Sequence, residues 1–190
     1  MNMASTRETK VRNDLFDAKR SFNRERPLSV FAAWMIIRWL FFTTSFPWPS
    51  PIKVRLLRLF GAKVGKQVYL KPRISIHFPW KLVIGDFSWI GEEVTIVNFE
   101  PISIGNHCCI SQRAFLCSGN HDFRDPAMGY RNAPITIMDG VWVGATSSIG
   151  PGTTLGVDTV ISLGSVVLND LPDNGVYRGH PAVRVADRWK

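Results

Sequence analysis

Aliphatic residues recur every six positions through most of this chain. In the clearest run, every sixth residue is isoleucine, leucine or valine: Ile137, Val143, Ile149, Leu155, Ile161 and Val167. Glycine directly follows several of them, and a small residue usually stands four positions on. The same pattern begins at Val64 and recurs as far as Ile110. A period of six matches neither an isolated helix nor a simple alternating strand.

This period predicts a triangular solenoid, in which each hexad forms a short strand and a turn, and three hexads complete a coil of about 18 residues. The aliphatic residue points into the prism, and the glycine after it permits the backbone conformation of the turn. The small residue four positions on also points inward, near a corner. Because one coil cannot bury its own interior, coils must stack. We expect about five coils between Val64 and Pro172.

The pattern is interrupted by the stretch FLCSGNHDFRDPAMGYRNAPITI, from Phe115 to Ile137. A solenoid wall accommodates an insertion only at a corner, and long projecting loops are usually functional. We therefore expect loop 118–134 to project from the solenoid and to carry functional residues.

A different composition marks the N-terminal region, residues 1–63. Residues 1–27 are polar and charged, look mobile or peripheral, and lack the apolar stretch of a cleaved signal peptide. Val30–Phe46 is almost wholly apolar, but it is short for a spanning helix and contains Arg38. Two interpretations stay open for this helix, which we expect the prolines from Pro47 onward to end. It packs on the protein or a neighbouring subunit, or it lies in a membrane interface.

The next segment, IKVRLLRLFGAKVG, predicts a short basic amphipathic helix capped by Gly61. Its apolar residues share one face: Ile52, Leu56, Leu59 and Phe60. Its basic residues take the other sides: Lys53, Arg55 and Arg58. We favour a solvated basic face over a packed apolar one. Peripheral membrane contact through residues 28–60 is the alternative.

Composition and charge narrow the possible partners. The chain has 190 residues, 45% hydrophobic and 20% charged, as expected of a folded globular protein. A formal net charge of +8 favours anionic partners such as a nucleotide-containing cofactor, a phosphorylated substrate or a membrane surface. We expect no nucleic acid partner, because zinc-finger spacing and RNA-binding signatures are lacking. Cys108, Cys109 and Cys117 are interpreted as reduced thiols in a cytoplasmic protein.

The hexads resemble those of the hexapeptide-repeat acyltransferases. Within that group, three segments resemble the colanic-acid-type acetyltransferases and cover most of residues 52–185: LLRLFGAKVGKQVYLKPRISIHFPWKLVIGDFSWIGEEV, ISQRAFLCSGNHDF and LPDNGVYRGHPAVRV. The resemblance implies an all-β solenoid, a left-handed parallel β-helix over residues 64–172, closed by a C-terminal segment at 173–190. It also implies a homotrimer that transfers acetyl groups from acetyl-CoA to a sugar hydroxyl in bacterial exopolysaccharide or lipopolysaccharide biosynthesis.

The resemblance also implies that His121 is the catalytic base. It follows the hexad glycine Gly105 at the same distance as the catalytic histidine of related sugar acetyltransferases follows theirs. The chemistry agrees, because a neutral imidazole can take the proton of an alcohol as the hydroxyl attacks a thioester carbonyl, and then pass it to the departing thiolate.

Further positions follow from the same resemblance. Asn98 and Glu100 are implied at the acceptor sugar, and Asp122 and Arg124 of the loop are further candidates to contact it. Five residues are implied along acetyl-CoA: Trp142, Ala145, Leu163, Ser165 and Arg184. Trp142 would shape the cofactor tunnel, Arg184 is a candidate phosphate contact, and Asp122 could orient the ring of His121. Each site of the trimer would combine His121 of one chain with part of the tunnel from the next.

Two other functions stay open. A zinc hydrolyase of the carbonic-anhydrase type needs three converging histidines, but the four here are scattered, and we expect no metal. A non-enzymatic scaffold anchored at the membrane would need neither His121 nor Trp142, and both are present. The apolar and basic N-terminal region agrees with a lipid-linked acceptor at the inner face of the cytoplasmic membrane.

Overall fold

The structure is a computed structural model that describes residues 9–18 and 22–190. Most of this part of the chain forms short strands joined by tight turns. Two helices precede them, α1 (Leu28–Phe41) and α2 (Ser50–Leu59). The strands, in chain order, are β1 (Lys63–Val64), β2 (Tyr69–Leu70), β3 (Ser75–Ile76), β4 (Leu82–Ile84), β5 (Trp89–Ile90), β6 (Thr95–Val97), β7 (Ile102–Ile104), β8 (Cys109–Ile110), β9 (Phe115–Cys117), β10 (Ile135–Ile137), β11 (Trp142–Val143), β12 (Ser148–Ile149), β13 (Thr154–Leu155), β14 (Val160–Ile161), β15 (Val166–Val167), β16 (Gly175–Gly179) and β17 (Ala182–Asp187).

Successive strands join three parallel sheets in turn, so the sheets form the sides of a prism. Sheet A contains β1, β4, β7, β10 and β13; sheet B contains β2, β5, β8, β11, β14 and β16; sheet C contains β3, β6, β9, β12 and β15. Strand β17 pairs antiparallel with β16 at the end of sheet B. The chain completes five coils and begins a sixth. This confirms the predicted fold, a left-handed parallel β-helix.

The aliphatic residue of each hexad points into the prism, as the six-residue pattern predicts. Ile84, Ile104 and Ile137 are successive neighbours in sheet A, and all three are buried. The small residues four positions on are buried as well: Ser147, Thr153, Thr159 and Ser165. Stacking thus removes the interior of each coil from water, which contributes roughly 25 cal/mol for each Å² of apolar surface buried.

The glycine after each aliphatic residue does not have the predicted role. Neither Gly85 nor Gly105 has a positive φ; the left-handed conformation falls two positions later, at Phe87 (φ 58°) and His107 (φ 55°). A Cβ atom on Gly85 would lie 2.5 Å from the carbonyl carbon of Gly105 in the next coil. Glycine is required there because successive backbones approach closely, so the prediction that it sets the turn conformation is wrong.

The early coils are longer than the predicted three hexads. Ile137 pairs with Leu155, which stands three hexads further along the chain. Val64 pairs with Ile84, and the sequence separation of this pair is more than three hexads. The additional residues lie at the corner where the chain passes from sheet C to sheet A. Loop 118–134 leaves from this same corner, between β9 and β10. The loop therefore projects from a corner, as the sequence predicts.

Helix α1 ends earlier than the prolines predict. Its last residue is Phe41, and the Thr44 hydroxyl beyond it accepts a hydrogen bond from the amide of Phe46. Hydroxyl side chains offer the backbone alternative partners, so the helix ends ahead of Pro47. In the part of the chain that the structure describes, no helix combines the length and apolar content needed to cross a membrane.

Both helices cover the first coil and close the start of the prism. Trp34 of α1 is buried and donates its indole N–H to the carbonyl of Ile76 at 3.1 Å. Val54 and Leu57 of α2 are also buried. Gly61 ends α2 in the left-handed conformation, φ 96°, as predicted for a cap. One side of the apolar helix α1 therefore packs on the body of the protein, the first of the two interpretations left open.

The buried side of α2 is not the predicted one. Leu59 is 78% exposed, whereas Lys53, expected on the solvated side, is fully buried. The Nζ atom of Lys53 donates a hydrogen bond to the carbonyl of Lys71 at 2.8 Å. Burial, and secondarily the charge of Lys71, lowers the pKa of Lys53 to about 8. The prism end accepts the side of α2 that carries the apolar stem of this lysine.

Candidate active site

Loop 118–134 is a hydrogen-bonded hairpin. His121 and Tyr130 form an antiparallel bridge. On either side of this bridge, the Asp122 amide donates to the Gly129 carbonyl at 2.7 Å and the Arg131 amide donates to the Asn120 carbonyl at 2.8 Å. Paired backbone groups give the loop a defined shape, so a side chain on it can hold a fixed position.

The carboxylate of Asp125 holds the tip of this hairpin. Its two oxygens accept hydrogen bonds from the amides of Ala127 and Gly129, each at 3.0 Å. The Met128 amide between them donates to the Asp125 carbonyl at 2.9 Å. Met128 has a φ of 53°, a left-handed conformation that a residue with a side chain rarely adopts. The bonds to Asp125 stabilise this conformation, and it sets the direction of the Met128 carbonyl.

The imidazole of His121 is oriented by that carbonyl. Its Nδ1 atom lies 2.5 Å from the Met128 carbonyl oxygen. A carbonyl can only accept a hydrogen bond, so Nδ1 is the ring nitrogen that carries the proton in the neutral imidazole. The Nε2 atom is then left with a free lone pair. A histidine held in this tautomer can accept a proton at Nε2.

A pocket of about 300 Å³ adjoins this ring, and residues of the N-terminal segment form part of it. The pocket is lined by Asn13, Phe16, His121 and Met128. The ring of Phe16 lies 5.5 Å from that of His121, centroid to centroid. The Arg12 amide donates to the carbonyl of Pro126 in the loop at 2.7 Å.

Residues 1–27 were predicted to be peripheral. That prediction is wrong for Arg12 and Phe16, which contact the loop. Asn13 and Phe16 form part of the candidate active site, which the sequence did not reveal. Residues 1–8 and 19–21 lie outside the described residues. A polar, charged segment without repeat character has no sequence signal that indicates such a contact.

An aromatic cluster supports the base of the loop. Phe22 of the N-terminal segment contacts Phe78, Phe99 and Tyr130, with ring centroids 5.0 to 6.2 Å apart. His77 stacks on Phe99 in the same cluster. Burial, followed by the charge of Arg38, lowers the pKa of His77, so this histidine is an uncharged part of the packing. Phe78 and Phe99 both belong to the lengthened corner of the early coils, so this corner buttresses the loop.

His107 and Cys108 lie away from the candidate active site. His107 stacks on Phe87 at a different corner, 4.9 Å between centroids. Cys108 is buried, and burial raises the pKa of its thiol to about 11, which agrees with its interpretation as a reduced small hydrophobic residue. Among residues 9–18 and 22–190, no group of three or more metal-ligating side chains comes together.

Known proteins with similar sequences are acetyltransferases. No family model matches the sequence. WcaF of Escherichia coli K12, named as a colanic acid biosynthesis acetyltransferase, is 40% identical over 154 residues, which cover 79% of this chain and 85% of WcaF. The chain belongs to the hexapeptide-repeat acetyltransferases of the colanic acid type. The galactoside O-acetyltransferase of the same strain is 32% identical over 139 residues, 70% of this chain and 68% of that enzyme.

Solved structures of hexapeptide-repeat acetyltransferases have the same fold. One from Vibrio cholerae, in complex with acetyl coenzyme A, has a TM-score of 0.70 and 26% identity, over 77% of this chain and 81% of its own. A galactoside acetyltransferase in complex with coenzyme A has a TM-score of 0.77 and 25% identity, over 85% and 82% of the two chains.

In this acetyltransferase, the predicted acceptor residues do not all come together. Asn98 is fully buried, and its amide bonds both the N–H and the carbonyl of Phe78, at 2.9 and 2.6 Å. It has a structural role, and the prediction that it binds the acceptor is not supported. Glu100 lies at the lengthened corner, half-buried. Asp122 accepts from the amide of Arg124 at 3.0 Å, so its bond is within the loop backbone and not to the imidazole.

The predicted cofactor residues are divided between two faces. Ala145 and Leu163 lie one coil apart at the corner between sheets B and C, where the amide of Gly164 donates to the carbonyl of Ala145. Trp142 lies on the outer side of sheet B and donates to the Ser111 hydroxyl at 2.9 Å. The loop with His121 leaves from the opposite edge of sheet C. Within one chain, Trp142 and His121 therefore lie on different sides of the prism.

Two further predicted cofactor positions are engaged within the protein. Ser165 is buried inside the prism; its hydroxyl accepts from the amide of Gly179 at 3.1 Å, and its carbonyl accepts from the amide of Ser148 at 2.9 Å. Its side chain is buried away from the surface, so the prediction that it contacts the cofactor is not supported. Arg184 is exposed on β17 and pairs with Asp187 at 2.6 Å, which raises the pKa of this guanidinium.

Asn132 is a loop residue that the sequence did not single out. Its side-chain oxygen accepts a hydrogen bond from the amide of Asn120 at 2.9 Å, directly before His121. Its Nδ2 atom is buried and has no hydrogen-bond partner among the described residues. A buried donor without a partner is uncommon in folded proteins. Asn132 therefore holds the strand that carries His121, and its amide nitrogen has no partner among the described residues.

Proposed function

We propose that this protein transfers an acetyl group from acetyl-CoA to a sugar hydroxyl in the biosynthesis of a bacterial exopolysaccharide or lipopolysaccharide, with His121 as general base. The observation that carries the proposal is the 2.5 Å contact between Nδ1 of His121 and the Met128 carbonyl. This contact leaves Nε2 free to accept a proton, on a ring that lines a pocket. The acetyltransferase family of the chain supplies the reaction class.

The reaction needs one proton acceptor and no covalent acyl-enzyme. The hydroxyl oxygen attacks the thioester carbonyl carbon while Nε2 of His121 takes the hydroxyl proton. The C–O bond forms, the C–S bond breaks, and the imidazolium returns the proton to the thiolate. A backbone N–H would stabilise the oxyanion of the tetrahedral intermediate. The buried, partnerless Nδ2 atom of Asn132 is a second candidate donor.

The substrate classes are inferred from relatives. WcaF is named for colanic acid biosynthesis, and the galactoside acetyltransferase is named for its sugar substrate. Acetyl-CoA is the proposed acyl donor because a structural neighbour holds it. The remaining candidates to contact it are Trp142, Ala145, Leu163 and the exposed Arg184. Glu100, Asp122 and Arg124 remain the candidates at the acceptor.

We also propose that the enzyme is a homotrimer in which each site lies between two chains. Sheet B carries a ladder of exposed aromatic rings on its outer side: Tyr69, Trp89 and Trp142. An exposed aromatic face of this kind is typical of a protein interface. Packed against the loop corner of a neighbour, it would bring Trp142 of one chain to His121 of the next.

The proposed location is the cytoplasm, with an acceptor carried on a lipid or nucleotide diphosphate at the inner face of the membrane. Contact between residues 28–60 and that membrane is part of this proposal. It is supported by the apolar residues that α1 leaves exposed, including Ile36 and Trp39.

The test is a thiol-release assay with acetyl-CoA across candidate sugar acceptors. We expect acceptor-dependent release in the wild type and a loss of at least about 10²-fold in kcat for His121→Ala, since removal of a general base costs about that much. His107→Ala is the matched control, because His107 lies at another corner, and it should retain full activity. Wild-type turnover in His121→Ala with a confirmed acceptor would contradict the proposal.

A further inference from the structure

The excess of positive charge is concentrated in one part of the chain. Residues 26–85 contain ten lysines and arginines and no aspartate or glutamate. The rest of the chain contains 13 basic and 15 acidic residues. The net charge of +8 therefore arises entirely from this stretch, which comprises both helices and the first coil. The later coils carry a net negative charge, because residues 86–172 contain three basic and nine acidic residues.

The two helices leave apolar side chains exposed on the side that faces away from the solenoid. In α1, Ile36 and Trp39 are 60% and 69% exposed, on the side opposite the buried Trp34. In α2, Leu59 is exposed on the side opposite the buried Leu57. Because both helices cover the first coil, these outward sides lie at the same end of the molecule.

Basic residues lie beside these apolar ones. Arg55 is exposed on α2, one helical turn before Leu59, and Lys63 is exposed at the start of β1, the first strand of the solenoid. We name this region the end-cap surface and define it by its exposed members: Ile36, Trp39, Leu40, Phe46, Arg55, Leu59 and Lys63. It combines apolar and aromatic side chains with uncompensated positive charge.

We propose that the end-cap surface docks on an anionic lipid bilayer. A second end cap fits poorly against the first, because each end-cap surface carries the cations Arg55 and Lys63 and no acidic residue. Anionic headgroups supply the missing negative charge, and apolar helix sides flanked by tryptophan and basic residues are suited to the interface between headgroups and acyl chains. Charge complementarity thus disfavours contact between two end caps and favours an anionic lipid surface.

Docking at this end would set the height of the candidate active site, and this part of the inference rests on the proposed function. The loop leaves between the third and fourth coils. Coils stack about 4.8 Å apart and a helix layer adds about 10 Å, which places the pocket on the order of 25 Å above the headgroups. A sugar linked through a diphosphate to a membrane lipid projects into this space.

The experiment is vesicle flotation of the full chain at low and high salt. Vesicles of phosphatidylcholine alone are compared with vesicles that contain 30 mol% phosphatidylglycerol. We expect salt-sensitive binding only to the anionic vesicles. The double substitution Arg55→Gln with Lys63→Gln should weaken this binding about 30-fold, and Trp39→Ser with Leu59→Ser should weaken it by at least about 10-fold. All four residues are exposed, so these variants should fold.

Matched controls lie at the opposite end of the solenoid. Arg178→Gln and Trp189→Ser remove an exposed cation and an exposed indole there, and both should bind vesicles as the wild type does. The proposal would be overturned if the wild type did not bind vesicles or if all variants bound them equally. It would also be overturned if the only effect of the end-cap substitutions were a change in oligomeric state measured in the absence of lipid. The result is separable from catalysis: His121→Ala should bind vesicles normally, and the end-cap variants should acetylate a soluble acceptor normally.

Discussion

At the scale of single residues, the chemistry depends on a contact between one ring nitrogen and one main-chain carbonyl. The sequence, through the resemblance, pointed to His121 as the base, and the structure sets this residue in a pocket-lining hairpin. It could not point to Met128 as the group that orients the ring, because a backbone carbonyl has no sequence signature. The adjacent carboxylate, Asp122, was the visible candidate, but it bonds the loop backbone instead.

The role of Asp125 in holding Met128 gives a testable consequence. Asp125→Ala removes both oxygens that hold the amides of Ala127 and Gly129. The Met128 carbonyl then loses its fixed direction, and kcat should fall about 10- to 100-fold, as expected for a misplaced catalytic group. Because Asp125 is a positioning residue, KM for acetyl-CoA should change little. Steady-state kinetics with both substrates measures the two effects.

Asp170→Ala is the matched control for this substitution. Asp170 also accepts a hydrogen bond from a backbone amide, that of Thr154, but it lies away from the loop. Asp125→Asn retains one acceptor oxygen and should recover part of the lost kcat. Equal kcat in Asp125→Ala and the wild type would mean that the loop holds His121 by other contacts.

At the scale of elements, the sequence predicted the two helices but not which sides they bury. Spacing in residues 52–60 indicated one apolar face, yet Leu59 is exposed and Lys53 is buried. The end of the prism decides the orientation of α2, and a local pattern does not contain that information. A local pattern does not reveal the contact between the N-terminal segment and the loop either, because this contact joins parts of the chain that are far apart in sequence.

Phe16 tests whether the N-terminal segment takes part in acceptor binding. Phe16→Ala removes one wall of the pocket beside His121. We expect KM for the acceptor to rise about 3- to 10-fold, the range for loss of one aromatic contact, with KM for acetyl-CoA unchanged. The adjacent Leu15 is exposed, and Leu15→Ala should leave both constants unchanged. An unaltered acceptor KM in Phe16→Ala would exclude the segment from the acceptor site.

At the scale of the whole molecule, the fold could be predicted because the same requirement repeats in each coil. An aliphatic residue must fill each layer, and a glycine must allow the next backbone to approach. The same sequence pattern therefore recurs in each coil. The lengthened corner occurs in only a few coils and has no such repetition. Its consequence, a buttress of Phe78 and Phe99 beneath the loop, was therefore missed.

Lys53 links the stability of the whole molecule to pH. Its pKa is about 8 in the folded state, lowered from 10.5 by burial. Below pH 8 the lysine is charged in both states, and the folded state bears the cost of burying that charge. Between about pH 8 and 10.5 only the unfolded state holds the additional proton, so this cost is relieved and stability rises with pH.

Lys53→Met should remove this rise. The free energy of unfolding of the wild type, measured with urea and expressed relative to that of the variant, should increase between pH 8 and 10. Cys108, whose thiol pKa is raised to about 11, makes the free energy of unfolding change with pH in the opposite direction. Because Cys108 is present in both proteins, its contribution cancels in the difference between them. A difference that stays constant over this range would show that Lys53 is as well solvated in the folded state as in the unfolded one.

The most direct test of the account is the tautomer of His121, read from its ¹⁵N chemical shifts in the labelled protein. The carbonyl of Met128 requires the proton of the neutral ring to lie on Nδ1, which leaves Nε2 as the base. We predict a protonated Nδ1 and an unprotonated Nε2 in the uncharged imidazole, and loss of this preference in Asp125→Ala. A neutral ring that carries its proton on Nε2 would contradict the mechanism, because no base would then face the acceptor.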